Sequence, residues 1–444
     1  MKQAHPMIAL VLLGLVTILA APARAQQPDL VITIEDGIVG ASPIAVVPFA
    51  WEATGVPPET PLEKVIANDL ARTGLFSVLN DEDIIERPAR VSDVRFPTWQ
   101  RLGVDHIVIG AVTGNELDGF AVEVRLLNVA TRESMLFLEF PSRAGELRYT
   151  AHHIADTVYE KITGVPGVFR TRIAYVTSAG TGEEQIFSLM VADADGHNPL
   201  PVVRSRQPLL SPSWSPDGER LAYVSFEEGN SSVWIQEIAT GSRRKLASFR
   251  GINGAPSFSP DGDRLALTLS RTGNPEIYVM DLSSERFRQL TEHWAIDTEP
   301  RWTPDGRSVI FTSDRGGRPQ LYQVPANGSE KPRRITREGQ YNARATLSPD
   351  GERIGMVHGN DNDYRIAVLD KSNGVLQIVS GGPLDESPSF APNGSMLLYA
   401  SRRGSQGVLS AVPVLGVAAG VRASHQLIFA EGDIREPAWS PLRR

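Results

Sequence analysis

The 444-residue chain contains no cysteine. That absence excludes disulfides, thiol catalysis, Cys-ligated metals and a lipid carried on an N-terminal cysteine. Positive charge is also in short supply. The chain has 44 Lys and Arg against 52 Asp and Glu, a formal net charge of −8, a poor match for nucleic acid or anionic lipid. Long apolar runs are scarce. The longest, Met7 to Ala21, has 15 residues, short of the ~20 a membrane span needs. Signature motifs of catalysis are missing as well: there is no G-x-S-x-G, P-loop, G-x-G-x-x-G or H-E-x-x-H. Of the eight histidines, His152 and His153 are neighbours on a predicted helix. They point about 100° apart and cannot share a metal as an i, i+4 pair would, so they read as surface or packing residues.

The short apolar run has a purpose of its own. Lys2 and His5 precede it, and Ala23-Arg24-Ala25 follows with small residues where a signal peptidase cuts. Residues 1–25 therefore read as a secretory signal peptide, with Ala23 and Ala25 at the cleavage site and the mature chain starting at Gln26. Losing Lys2 and Arg24 takes the formal charge to −10. A soluble protein of the periplasm fits these features.

A phrase recurs from residue 172 onward: an aromatic or apolar residue, then Ser/Thr/Ala-Pro-Asp/Asn-Gly. It runs WSPDG (Trp214 to Gly218), FSPDG (Phe258 to Gly262), WTPDG (Trp302 to Gly306), LSPDG (Leu347 to Gly351) and FAPNG (Phe390 to Gly394), with a truncated copy at Trp439-Ser440-Pro441. The prolines are 44, 44, 45, 43 and 49 residues apart. Pro presets φ and Gly accepts positive φ, so each phrase is a tight turn. β-rich segments such as LAYVS (Leu221 to Ser225) and EIYVMDL (Glu276 to Leu282) follow. Four short antiparallel strands at this period form a propeller blade. The last copy has only its first strand, and residues 172–204 supply three without a first. Together they complete a sixth blade and close the ring, which removes open sheet edges. The fold class is thus two-domain, an N-terminal α/β domain with a mixed sheet and a C-terminal all-β six-bladed β-propeller over residues 172–444.

The α/β domain spans residues 42–165 and joins the propeller through a Gly/Pro linker, residues 166–171. Strands are predicted at Pro43 to Phe49, Leu75 to Asn80, His106 to Val112, Val122 to Val129 and Ser134 to Phe140. Helices are predicted at Pro61 to Gly74, Pro97 to Leu102 and about Glu146 to Ile162. Residues 26–41 read as a flexible tail. Its β-prone stretch Leu30-Val31-Ile32-Thr33-Ile34 pairs either with a partner's sheet edge or with the edge of its own domain.

One set of positions bears on function. Just before each innermost strand come Ser211-Pro212, Ala255-Pro256, Glu299-Pro300, Ala343-Arg344, Glu386-Ser387-Pro388 and Glu436-Pro437. In a propeller these ring the channel mouth, and three of the six carry glutamate. The ring serves solubility, a partner segment or a cation.

The phrases PIAVVPFAW (Pro43 to Trp51), FRTRIAYV (Phe169 to Val176), QPLLSPSWSPDG (Gln207 to Gly218) and INGAPSFSPDG (Ile252 to Gly262) are more specific. With the export signal, they resemble the TolB family, periplasmic propeller proteins of the Tol-Pal envelope system. The resemblance runs from about Leu30 to Pro441. It implies a partner at each end of a cofactor-free, non-enzymatic monomer that inserts into no membrane. The propeller mouth would bind the peptidoglycan-associated lipoprotein Pal, and the tail Leu30 to Ile34 would bind the inner-membrane protein TolA. The system would support outer-membrane invagination at cell division and outer-membrane integrity. Family positions at the mouth fall on Ile252, Ala255 and Thr298, with histidine in relatives where this chain has Ile252. With Glu299, Glu386 and Glu436 they form the expected Pal surface. Two other classes compete with this reading. A prolyl-oligopeptidase-type enzyme needs a hydrolase domain for which no chain is left. The alternative that stays open is a propeller hydrolase with a metal in the central channel.

Overall fold

The computed structural model describes residues 40–360, 363–414, 425–427 and 432–442. The predicted signal peptide, including Ala23 and Ala25, and the tail segment Leu30 to Ile34 lie outside the described residues.

The N-terminal domain contains, in order, β1 (Ser42–Val46), β2 (Ala50–Trp51), α1 (Leu62–Ala71), β3 (Phe76–Val78), α2 (Phe96–Arg101), β4 (His106–Asn115), β5 (Gly119–Asn128), β6 (Ser134–Ser142) and α3 (Leu147–Thr163). The sheet order is β3-β1-β4-β5-β6, with β2 pairing alongside β4. β1 runs parallel to β3 and β4, while β4, β5 and β6 are antiparallel, so the sheet is mixed. Strand alternation divides its two faces. Ile44, Val46 and Val108 pack with Ile66 and Leu70 of α1 and with Ile154 and Val158 of α3. Ala45, Val47, Ile107 and Ile109 point the other way, onto Trp99 of α2 and Val104. α3 ends at Gly164, whose φ of 74° gives the left-handed cap glycine supplies without strain.

The C-terminal region forms six four-stranded antiparallel sheets. Blades one to five cover residues 209–247, 253–289, 297–334, 341–378 and 386–427. The sixth joins Asp433–Trp439 to Arg172–Ala179, Ile186–Asp193 and Leu200–Ser205. The closing strand is locked: Trp439 Nε1 donates to Thr171 Oγ1 at 2.8 Å, and the Arg172 amide donates to Ser440 Oγ at 2.9 Å.

The repeated phrase also joins neighbouring blades. In the turns that carry Ser or Thr before the proline, which is every one but Ala391's, the hydroxyl accepts from a backbone amide, as Ser215 Oγ does from Arg220 at 2.9 Å. The arginine that follows then lies over the next blade's aromatic ring. Arg172 covers Trp214, Arg220 covers Phe258 and Arg264 covers Trp302, at 4.6 to 5.5 Å from the ring centroid.

Because strands alternate in direction, the turns at the repeated phrase and the turns between third and fourth strands share one face of the propeller. The connections from each outer strand to the next inner strand share the opposite face. The N-terminal domain sits on the first face, where Asn393 Nδ2 donates to Pro166 O at 2.8 Å and Arg148 of α3 is ion-paired with Asp195 in the turn after Ile186–Asp193. Among the described residues, the N-terminal domain leaves the other face open.

Candidate functional site: the propeller channel and its open mouth

Each innermost strand carries a bulge at the same place, where its register to the next strand shifts. The residue at that point is left-handed in every blade: Ser211, Ala255, Glu299, Arg344, Ser387 and Glu436, with φ between 47° and 56°. A bulge leaves one residue out of the ladder, and here that residue faces the channel. The sequence reading set these positions just before the innermost strands; they lie within them. It also placed Glu386 in the ring. The structure puts Ser387 there, while Glu386 pairs with Ala400 and lines a separate cleft with Leu384 and Arg402. The ring therefore holds two glutamates, Glu299 and Glu436, with Arg344 between them.

These charges form one network across the channel. Arg344 Nε donates to Glu299 Oε1 at 2.8 Å, and its Nη1 donates to Glu436 Oε1 at 2.9 Å and to Ser387 Oγ. The second oxygens accept from amides that the bulges free: Glu299 Oε2 from Arg344 N at 3.2 Å and Glu436 Oε2 from Ser211 N at 3.0 Å. The network links blades three, four, five, six and one. Burial alone would raise the Glu436 carboxyl, but Arg344 and the Ser211 amide hold it below the usual range. Glu436 in turn pushes the Arg344 guanidinium up. Glu299 and Glu436 were expected to meet solvent at a rim; they are committed inside the channel, with side chains 25% and 12% exposed.

This donor set fits a channel metal poorly. Among the described residues, the only carboxylates lining the cavity at the ring are Glu299 and Glu436. Arg344 already supplies the positive charge a cation would bring, and a second arginine, Arg301, lines the same cavity.

The open face carries an arc of exposed apolar side chains among charged ones such as Arg206, Arg250, Arg337 and Glu338. Ile252 (49% exposed), Trp294 (77%), Ile296 and Leu384 project from its connections, and Leu210 stands just before the ring residue of blade one. Thr298 lies beside them, partly buried, its hydroxyl 3.4 Å from Thr268 Oγ1, and Ala255 lines the cavity below. Of the expected mouth residues, Ile252, Ala255 and Thr298 thus gather at the open end, and Glu386 lies at its margin. Trp294, Ile296, Leu210 and Leu384 were missed. Their signal was position, since each lies in or beside a connection that follows an outer strand.

On the closed face a buried cluster joins the domains. His152 Nδ1 lies 2.6 Å from Asp69 Oδ2, and its Nε2 lies 3.6 Å from Asp195 Oδ2. Arg72 holds Asp69 at 3.0 Å and Arg148 holds Asp195. Burial opposes a charged His152, but Asp69 and Asp195 outweigh it and keep its pKa above the ordinary value. Burial likewise works to raise Asp195, while His152, Arg148 and Arg72 keep it well below the carboxylate range. The three residues Asp69, His152 and Asp195 have metal-ligand spacing, yet two arginines already neutralise both carboxylates, so the cluster fits an ion-pair lock better than a cation. His152 is neither a surface residue nor simple filling.

The linker is equally fixed. Phe169 is buried against Tyr159 and under Arg72. Asp156 accepts from the Phe169 amide at 2.7 Å and from Arg170 Nε at 2.8 Å. A Cβ on Gly167 would lie 2.3 Å from Asp156 Oδ1, so only glycine fits there.

The fold and channel together define a six-bladed β-propeller carried on an α/β domain, with one face bound to that domain and the other free. The family described as TolB amino-terminal domain matches residues 30–135, and the TolB beta propeller domain matches residues 159–443. The chain is 57% identical over 435 residues to the Tol-Pal system protein TolB of Xanthomonas oryzae pv. oryzae, covering 97% of this chain and 98% of that one. It is 56% identical over 428 residues to the Tol-Pal system protein TolB of Xanthomonas campestris pv. campestris, covering 96% of each. The crystal structure of TolB from Acinetobacter baumannii superposes with a TM-score of 0.83 at 39% identity, covering 93% of this chain and all of that one. The chain belongs to the TolB family of Tol-Pal system proteins.

Proposed function

We propose that the protein is a periplasmic, non-catalytic adaptor of the Tol-Pal system that docks Pal on the open propeller face and TolA through its N-terminal tail. In this role it supports outer-membrane invagination at division and outer-membrane integrity. The observation that carries the reading is the apolar arc of Leu210, Ile252, Trp294, Ile296 and Leu384 around the mouth, on the face the N-terminal domain leaves free. Large apolar groups on a rigid ring are binding anchors, because little ordering entropy is lost when a partner covers them. Both carboxylates at the channel ring are tied up by Arg344, which supports an adaptor over a metal hydrolase. The export signal ending at Ala23-Arg24-Ala25 supports the periplasm.

The test is calorimetry of the mature chain with soluble Pal and with a soluble fragment of TolA. Saturable binding of both is expected. Ala255→Trp or Thr298→Arg should weaken Pal binding, and deletion of residues 26–36 should abolish TolA binding while Pal still binds. Binding of neither partner would overturn the reading, as would metal-dependent turnover of lactones or phosphoesters.

A further inference from the structure

Two residues beyond the ring, toward the closed face, each innermost strand again turns a side chain into the channel. The six residues are Ser213, Ser257, Arg301, Thr346, Ser389 and Ala438. Below them the channel widens into a chamber of about 310 Å³ that reaches the prolines of the repeated turns. Arg301 therefore stands alone at a level otherwise made of small hydroxyl and methyl side chains.

The chemistry of this level is that of a donor. Arg301 makes no hydrogen bond or ion pair among the described residues; burial holds its guanidinium below the ordinary value, Arg344 adds to that, and Glu299 and Glu436 offset it only in part, so its charge lacks a full counter-ion. The hydroxyls lean the same way. Ser389 Oγ accepts from the Trp439 amide at 2.9 Å and Thr346 Oγ1 from the Phe390 amide at 3.3 Å. One lone pair of each thus serves the backbone, and the O–H proton is left to turn inward. Among the described residues no carboxylate lines this chamber. A planar guanidinium beside a set of hydroxyl donors, in a cavity with no acid, is suited to binding oxygen anions.

We propose that this chamber is a binding site for a small oxyanion, a carboxylate or a tetrahedral oxyanion, with Arg301 as its charged anchor and Ser213, Ser257, Thr346 and Ser389 as neutral donors. Arg301 also borders the cavity of the Arg344 network, so an anion held there would sit directly beneath the charges that span the mouth.

The test is titration calorimetry on the mature full chain with sodium phosphate, sodium sulfate and sodium acetate, each at ionic strength held constant with sodium chloride. Trp214, Trp302 and Trp439 line the chamber, so intrinsic fluorescence gives a second readout. At least one probe should bind saturably at one site and perturb the emission. Preference for phosphate or sulfate over acetate would identify a tetrahedral oxyanion, and the reverse a carboxylate. Arg301→Ser places at blade three the residue that blades one and two already have. It should weaken binding about tenfold or more, with Arg301→Lys in between. Should Arg301→Ser fail to fold, the double variant Ser213→Ala with Ser257→Ala should still weaken binding severalfold. The proposal is overturned if no probe binds saturably, or if the folded Arg301 variant, or failing that the double serine variant, binds as the parent does.

Discussion

The two faces of the propeller differ in what their side chains are doing. On the closed face charges are paired: Asp69, His152, Asp195, Arg72 and Arg148 form a chain of ion pairs across the domain boundary, and Phe169 fills the N-terminal core. On the open face Trp294 stays 77% exposed beside His293, and Ile252 is half-exposed. Both faces are made of connections between the same repeated strands, so the fold does not dictate the difference. The sequence of the connections does, and the contrast separates residues kept for cohesion from residues available to a partner.

The largest effect should come from the closed face. Phe169→Ala removes a ring that packs with Tyr159 and Arg72, and should cost about 3–5 kcal/mol of stability by calorimetry or denaturant titration. Two separated transitions are the expected result if the linker couples the domains. Asp195→Ala comes next, at about 2 kcal/mol, because it takes the partner from the half-buried Arg148 and leaves the buried His152 with Asp69 alone. That loss should depend on pH. His152 titrates above its ordinary value in the folded protein, so its contribution is full below about pH 6.5 and fades as pH rises through the raised value. A stability difference between parent and Asp195→Ala that grows with pH would contradict this assignment.

Open-face changes should invert the pattern. Trp294→Ala should leave the melting temperature nearly unchanged, within about 0.5 kcal/mol of stability, since the ring is 77% exposed. It should weaken Pal by about 2 kcal/mol if the arc is the docking surface. Unaltered Pal affinity would move that surface elsewhere.

How much of this was legible beforehand varies by region. The blades were legible because Pro-Asp-Gly must be a turn wherever it occurs, and its spacing counts the repeats. Closure followed from arithmetic on the strands that the first and last copies lack. The channel ring was misjudged at blade five because acidic character was used to choose Glu386 over its neighbour. Counting five residues back from each turn proline reaches Ser211, Ala255, Glu299, Arg344, Ser387 and Glu436 without error, and counting three back would have singled out Arg301 among Ser213, Ser257, Thr346, Ser389 and Ala438. The role of His152 could not be read. Asp69 lies 83 residues from it in the chain, and nothing local distinguishes a histidine that bridges two domains from one that only fills space.

The smallest effect concerns a polar position shared by four connections on the open face. Two residues before the ring stand Asn253, Asp297, Asn342 and Asp385, all buried. Asn253 ties its loop by donating to the Phe249 and Ser231 carbonyls at 2.7 and 3.0 Å, and Asn342 donates to the Glu338 carbonyl at 2.7 Å. Asp297 instead receives Arg315 at 2.5 Å. Asp385 has neither solution: no hydrogen bond closes on its carboxyl oxygens among the described residues, and burial pushes its pKa up to about 6, with Ser380 and the Gly382 amide only partly offsetting this. A carboxyl whose folded pKa lies above its unfolded one favours folding when protonated. That benefit is full below about pH 4 and is lost as pH rises through about 6, so at pH 7 the ionised group works against the fold. Asp385→Asn installs the amide that blades two and four use. It should stabilise the protein by about 1 kcal/mol at pH 7, after allowance for partial solvation, and by progressively less as pH falls toward 4. Thermal melts of both proteins across pH 4 to 8 decide the matter. A stabilisation that is constant with pH would assign the gain to the new hydrogen bonds alone, and a loss at pH 7 would show that the carboxylate is held by a partner after all.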